Sequence, residues 1–326
     1  MTHNNSSSVS FNGLISNDNE RFIWAVWLIV IFLSSLCGDT TILVASIKFK
    51  AFKLNKAMVV FIQHIAACDL LIAVLTILPH TVTLIANRWV LGTTFCYVSA
   101  YVAYFGQCAA VILICAMSLT KLLILKYPVK ARYWSRKQVH LICASLWTFS
   151  LSSICILILV DRDDVSLNGN RYKCSYKFSA NVWRWLNPVI YSLYVFIPTV
   201  ATIIVSVLLV KHLRNARHTS RRSSGKVRWQ GIATVVITAS IYCISFFPES
   251  LNLLIKPYLG DSLHRLFFSR AAITFTYLNV ACNVFIYTLT VPSFRNFIQS
   301  TFRQMGAAIC SRRIAHPGTY LCCIVV

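Results

Sequence analysis

Four polar side chains lie inside long apolar stretches of this 326-residue chain, where they could share a proton or bind a cation. They are two carboxylates, Asp39 and Asp69, and two carboxamides, Asn279 and Asn283. An isolated charge in an apolar span is unfavourable, so these side chains are expected to face one another inside the folded chain. Two neighbouring carboxylates would share a proton or bind a cation, and a hydrogen-bonded structural cluster is the alternative.

Seven long apolar stretches must position these residues. A bilayer core is about 30 Å thick and a helix rises about 1.5 Å per residue, so about 20 apolar residues span it. Hydrophobic residues make up 57% of the chain and charged residues only 12%, against about 25% charged in a soluble domain. We therefore predict an all-α membrane protein, a seven-transmembrane helix bundle with spans at 22–47, 57–86, 96–125, 139–160, 185–210, 229–255 and 266–291.

The basic residues are concentrated in four short polar segments. Two thirds of the 31 Lys and Arg fall in segments 48–56, 121–137, 211–228 and 295–313, and none of the nine Asp and Glu does. Seven crossings place these segments on one side, and basic loops stay in the cytoplasm. We predict a multi-pass plasma membrane protein with its N-terminus extracellular and its C-terminus cytoplasmic. The net charge of +22 then reflects topology and contact with membrane lipids, and no nucleic acid partner is expected.

The sequence divides into three parts. Residues 1–21 form a polar extracellular tail with glycosylation sequons at Asn4 and Asn5. Residues 22–291 form the seven-helix domain, and residues 292–326 form a cytoplasmic tail. This tail opens with apolar side chains at helical spacing, which indicates a short amphipathic helix along the inner membrane surface. Three cysteines near its end are candidates for lipidation: Cys310, Cys322 and Cys323.

Motifs for catalysis and transport are missing from the sequence. It contains no HExxH, no GxSxG and no glycine-rich phosphate loop, so an enzyme is not expected. No repeat relates the two halves, as it does in many transporters. Neither a re-entrant pore segment nor a ring of charge indicates a channel. A receptor is the remaining broad class, and a small membrane transporter is the alternative.

Landmark residues follow one another along the seven stretches in a fixed order: Gly38-Asp39, Asp69, Cys96, Trp147, Pro198, Pro248 and Asn283 with Tyr287. In this order and at these spacings they resemble the rhodopsin-like (class A) G-protein-coupled receptors, from position 22 to about position 302. The resemblance implies a receptor that transmits the binding of an extracellular ligand to a heterotrimeric G protein.

Two further roles follow from the resemblance. It implies a disulfide bond between Cys96, at the outer end of the third helix, and Cys174 in the second outer loop, which would fold that loop over the mouth of the bundle. It also assigns Asp69 to the sodium-binding network of the family, so sodium is the expected cation. Ala110 replaces the serine that the family usually supplies, which keeps the purely structural alternative open.

The resemblance assigns activation and G-protein coupling to seven residues: Thr120, Lys121, Leu122, Tyr242, Phe246, Pro248 and Tyr287. Lys121 stands where the family has arginine, and it lacks the planar five-donor fork of that side chain. Thr120 supplies no neighbouring carboxylate, so no ionic lock can form at this triplet. The receptor is therefore expected either to be weakly restrained and constitutively active, or to couple poorly or not at all.

The family geometry assigns seven residues to the ligand pocket: Tyr104, Gln107, Tyr194, Glu249, Asn252, Arg270 and Tyr277. Ala103 stands where aminergic receptors have Asp, which argues against an ordinary monoamine. Tyr277 stands where opsins have the retinal-bearing Lys, which excludes a retinal Schiff base. The expected ligand is a small polar molecule or a short peptide. Glu249 could accept a cationic ligand or pair with Arg270.

Overall fold

Seven helices form a bundle in the computed structural model, which describes residues 18–47, 54–129, 134–160, 165–168, 172–176, 189–217, 222–255 and 263–314. The helices are α1 Asp18–Ile47, α2 Lys56–Ala86, α3 Gly92–Lys126, α4 Arg136–Val160, α5 Ile197–Arg217, α6 Arg222–Ile255, α7 Leu263–Thr290 and α8 Pro292–Ile314. The first seven are long and apolar enough to cross a membrane. Each overlaps one of the seven stretches predicted from hydropathy, and the seven-transmembrane fold is therefore confirmed.

Two of the spans widen into a π-helical turn just before a proline. The turn Ala73–Ile77 precedes Pro79 within α2, and the turn Ser192–Phe196 precedes Pro198 at the start of α5. Because proline cannot donate a backbone hydrogen bond, the winding one turn earlier is locally relaxed. Helix α6, in contrast, runs without interruption through Pro248.

Helix α3 is the central element of the bundle and packs against α2, α4, α5 and α6. Large apolar side chains on the outer faces of the other spans remain exposed, as expected for helices whose surroundings are lipid. Between α1 and α7 the backbones approach closely at Gly38, where an added Cβ would lie 2.8 Å from Cγ1 of Val284. Only glycine leaves room for this approach.

The connection between α4 and α5 contains a two-stranded antiparallel sheet that the sequence analysis did not predict. Strand β1, Val165–Asn168, pairs with β2, Lys173–Tyr176, and Leu167 lies opposite Cys174. A disulfide bond joins Cys174 to Cys96 of α3, with the two Cα atoms 5.3 Å apart. The sheet is therefore fixed to the end of α3, and β2 also packs against the end of α2.

Helix α8 follows α7 directly and begins where the predicted cytoplasmic tail begins. Phe294 is fully buried, Phe297 and Ile298 are partly buried, and Arg295 and Arg303 are exposed. One face of the helix thus packs on the bundle while the opposite face is charged, as predicted for an amphipathic helix.

Candidate functional site

The mouth of the bundle is closed on one side by the strand that carries Cys174. Tyr172, Lys173 and Cys174 are all buried, although they belong to a connecting segment. Tyr172 adopts a φ of 51°, a left-handed conformation that non-glycine residues seldom adopt. The disulfide bond to Cys96 holds these side chains against the helices and thereby makes the loop part of the site.

A partly buried ion pair joins the first and the seventh helix at this mouth. Nη1 of Arg270 lies 3.0 Å from Oε1 of Glu20, and the same carboxylate oxygen accepts a hydrogen bond from Nε1 of Trp24 at 3.2 Å. The guanidinium of Arg270 also lies 5.5 Å from the ring centre of Tyr172. The Arg270 side chain is 6% exposed and that of Glu20 is 26% exposed, so solvent screens this pair less than it screens a surface pair. The sequence analysis considered Glu249 as a partner of Arg270, and the structure shows a pair with Glu20, which that analysis did not consider.

Cation and aromatic groups meet about two turns deeper along α7, at Tyr277. The ring of Tyr277 packs edge-on against His80 of α2, with the centroids 6.0 Å apart. Nζ of Lys173 lies 5.9 Å from the centre of the Tyr277 ring, a cation–π contact between the loop and the helix. Tyr277 is therefore linked both to α2 and to the disulfide-anchored strand.

The other predicted pocket residues occupy the adjoining faces of α3, the turn before α5, and α6. Nδ2 of Asn252 donates a weak hydrogen bond to Oε2 of Glu249 at 3.4 Å, and both side chains are buried. The Tyr194 hydroxyl lies 2.7 Å from Oγ of Ser152, so its polar end is directed to α4. Tyr104 and Gln107 of α3 are half-buried. The assignment of this set to a ligand pocket remains a prediction.

The four intramembrane polar residues are all buried, and two of them touch. Nδ2 of Asn283 donates a hydrogen bond to Oδ2 of Asp69, and Oγ of Ser35 donates to Oδ2 of Asp39 at 2.7 Å. Asp39 and Asp69 are close enough to interact electrostatically. In the part of the chain that the structure describes, Oδ1 of each aspartate accepts no hydrogen bond. Two buried carboxylate oxygens thus remain available to a proton, a cation or water.

An aromatic pair lies inside α6 below Pro248. The rings of Tyr242 and Phe246 are 4.3 Å apart between centroids, and both are buried against the core.

At the other end of the bundle, Thr120 and Lys121 are buried and Leu122 is partly buried. Tyr287 packs edge-on against Phe294 of α8. These residues are packed against their neighbours, so a movement of α6 or α7 would displace them. Their part in activation remains a prediction.

Some predicted sites fall outside the described residues, and some residues at the mouth were not foreseen. Asn4, Asn5, Cys322 and Cys323 lie outside the described ranges, and Cys310 lies in α8 in a region whose side chains are not described. The residues that sequence reasoning missed are Glu20, Trp24, His80, Tyr172 and Lys173. Adjacency to Cys174 was the signal that could have identified Tyr172 and Lys173, since a loop cysteine tied to α3 draws its neighbours to the same place.

Comparison with known proteins agrees with this architecture. A family model described as 7 transmembrane receptor (rhodopsin family) matches residues 40–287. The chain is 22% identical over 321 residues to proteinase-activated receptor 1 of Xenopus laevis, covering 94% of the chain and 73% of the relative. It is 24% identical over 238 residues to the human uracil nucleotide/cysteinyl leukotriene receptor, covering 72% and 61%. With mouse lysophosphatidic acid receptor 6 the identity is 21% over 211 residues, covering 63% and 60%.

Proposed function

The chain belongs to the rhodopsin family of seven-transmembrane receptors, and on this basis we propose that it transmits the binding of an extracellular ligand to a heterotrimeric G protein. The family and the related proteins are receptors, which favours this function over an enzyme or a small transporter. A radiolabelled uptake assay tests the transporter alternative, and we expect uptake equal to that of mock-transfected cells.

The observation that carries the proposal is the disulfide-anchored strand at the mouth of the bundle. It brings Lys173 to Tyr277 and Tyr172 to Arg270, so one connecting segment contacts the two residues of α7 that line the predicted pocket. A ligand that enters here would contact the loop and α7 together. Binding could therefore change the position of α7 relative to the rest of the bundle.

The chemistry of this mouth supports a small polar molecule or a short peptide as the ligand. Lys173 and Arg270 contribute cations, Glu20 and Glu249 contribute carboxylates, and Tyr172 and Tyr277 contribute aromatic surface. Mixed charge with aromatic walls suits a ligand that has both polar groups and an apolar part. A monoamine and retinal remain disfavoured by Ala103 and Tyr277.

A ligand screen measured by G-protein dissociation across subtypes tests the proposal directly. For any agonist found, Tyr277→Ala should reduce potency at least about tenfold, because one buried aromatic contact contributes on the order of 1.4 kcal/mol or more. Phe275→Ala is the matched control, since this aromatic residue of the same helix is 45% exposed on the outer surface. Equal losses in the two variants would place the ligand elsewhere.

Coupling competence is the second part of the proposal, and Lys121 is the residue that tests it. We propose that its buried positive charge takes the place of the family arginine, so the chain signals above the background of empty vector. Lys121→Ala should then lower the basal second-messenger output, and Lys121→Arg should keep or raise it. If the unchanged receptor, Lys121→Ala and Lys121→Arg all give second-messenger output equal to that of empty vector, at equal surface expression, a receptor that does not couple would be favoured.

We also propose that the cluster of Asp39 and Asp69 holds a sodium ion. Hard cations prefer oxygen ligands, and each aspartate has one buried oxygen without a hydrogen bond among the described residues. A proton shared between the two carboxylates is the alternative. Sodium should change the thermal unfolding midpoint of the purified protein if the cation is bound, whereas pH alone should change it if the proton is shared.

A further inference from the structure

An outward-facing groove separates α5 from α6 in the half of the bundle where the basic connecting segments lie. Its cavity volume is about 600 Å³, which is within the usual range of small-molecule sites. The α5 wall includes Ile203 and Val207, and the α6 wall includes Ile244; these three side chains are 47%, 49% and 66% exposed. The groove therefore opens towards the surrounding bilayer and not towards the interior of the bundle.

The groove exists because α6 presents small side chains where α5 presents branched ones. Ala239, Ser240 and Cys243 belong to its α6 wall, and these short side chains leave space beside the branched side chains of α5. The hydroxyl of Ser240 is bonded to the carbonyl oxygen of Val236, which leaves the wall largely apolar. An acyl chain is the ligand that such a lipid-facing slot suits.

Two cations close the groove at the end nearest the connecting segment. Lys211 and Arg214 line it, are three residues apart on one face of α5, and are exposed. The sequence has no Asp or Glu between Asp164 and Glu249, so no acidic residue on the neighbouring part of the chain can neutralise them. An anion that they bind is therefore not a side chain of this segment, and the adjoining lipid leaflet is a source of one.

The length of the groove matches one leaflet of a membrane. From Ile203 to Lys211 the helix rises about 12 Å, and half of a hydrocarbon core is about 15 Å. The apolar part thus spans the depth of acyl chains, and the two cations lie at the depth of phosphate headgroups. We propose that this groove binds one anionic phospholipid of the leaflet that faces the basic segments, with an acyl chain between α5 and α6 and the phosphate at Lys211 and Arg214.

Photocrosslinking in nanodiscs that each contain one receptor tests the proposal. The probe is phosphatidylglycerol with a diazirine on its acyl chain, diluted in unlabelled phosphatidylcholine, and the labelled residues are identified by mass spectrometry. We expect the label on the groove residues of α5 and α6, and about tenfold less label when the same diazirine is carried by phosphatidylcholine, because two basic side chains near an anionic headgroup each add to binding.

Three variants separate the groove from general surface charge. Lys211→Gln with Arg214→Gln should lower the label about tenfold, whereas Arg136→Gln with Lys137→Gln, which removes equal charge from α4 on the same membrane face, should leave it unchanged. Ser240→Phe should exclude the acyl chain and keep the thermal unfolding midpoint, since its side chain faces lipid.

Equal loss in the two double variants, or label spread evenly over the outer faces of the other helices, would overturn the proposal. Loss of the label when free inorganic phosphate is added would overturn it as well, because the cations would then bind phosphate without need of the groove.

Discussion

The close approach of α1 and α7 at Gly38 provides the sharpest test of the packing around the polar cluster, because Gly38 precedes Asp39 and Val284 follows Asn283. A Cβ at position 38 would lie 2.8 Å from Cγ1 and 2.9 Å from Cβ of Val284. Comfortable carbon contacts are about 3.5–4.0 Å. Gly38→Ala therefore requires the two helices to separate by roughly 0.6–1 Å at this level.

The net effect is the difference of two opposing contributions. Alanine in place of glycine within a helix is favourable by about 1 kcal/mol, whereas overpacking of a close contact costs about 1–3 kcal/mol. We expect Gly38→Ala to lower the thermal unfolding midpoint of the purified receptor by several degrees. Gly106→Ala is the comparison, because its Cβ would lie 2.5 Å from Cγ1 of Ile72, a buried and stiff β-branched side chain. It should also lower the midpoint, but substitutions at Val284 should not alter its effect.

Second-site changes at Val284 identify the contact as the cause. Val284→Ala removes Cγ1 but keeps the Cβ at 2.9 Å, so Gly38→Ala should remain destabilising in that background. Val284→Gly removes both atoms, and Gly38→Ala should then become neutral or stabilising through its helix propensity. An unfolding shift that is the same in all three backgrounds would refute the reasoning, since independent positions give additive effects.

Three other predictions concern the mouth and the core. Glu20→Gln should lower the unfolding midpoint, because it removes the carboxylate charge that faces the buried Arg270 guanidinium, at a cost of about 1–3 kcal/mol. Asp18→Asn, whose carboxylate is 87% exposed in its pair with Arg21, should leave the midpoint unchanged, and equal shifts would contradict this account. Cys96→Ser, Cys174→Ser and the double variant should each lower the free energy of unfolding by about 2–4 kcal/mol, measured by thermal unfolding. A double variant that is clearly less stable than either single variant would show that the cysteines also act separately. Asp69→Asn should abolish any dependence of the unfolding midpoint on sodium while potassium has no effect on either form, and a sodium response retained in the variant would exclude Asp69 as a ligand.

Hydropathy was sufficient to predict the seven spans, because the requirement that sets them is local. A helix must bury about 20 consecutive apolar residues to cross the bilayer, whatever its neighbours are. Proline positions were less informative. A π-helical turn precedes Pro198 while α6 continues through Pro248, and Pro79 with its π-helical turn was not foreseen. The winding near a proline depends on which neighbouring groups satisfy the released carbonyl.

The sequence by itself determined that Asp39, Asp69, Asn279 and Asn283 must be buried, because polar groups in apolar spans have no other favourable place. It did not determine their partners. That Asn283 bonds to Asp69, and that Glu20 pairs with Arg270 across 250 residues, depends on the rotation and depth of each helix in the bundle. These are fixed by side-chain packing between helices, a property of several segments at once that no single segment carries.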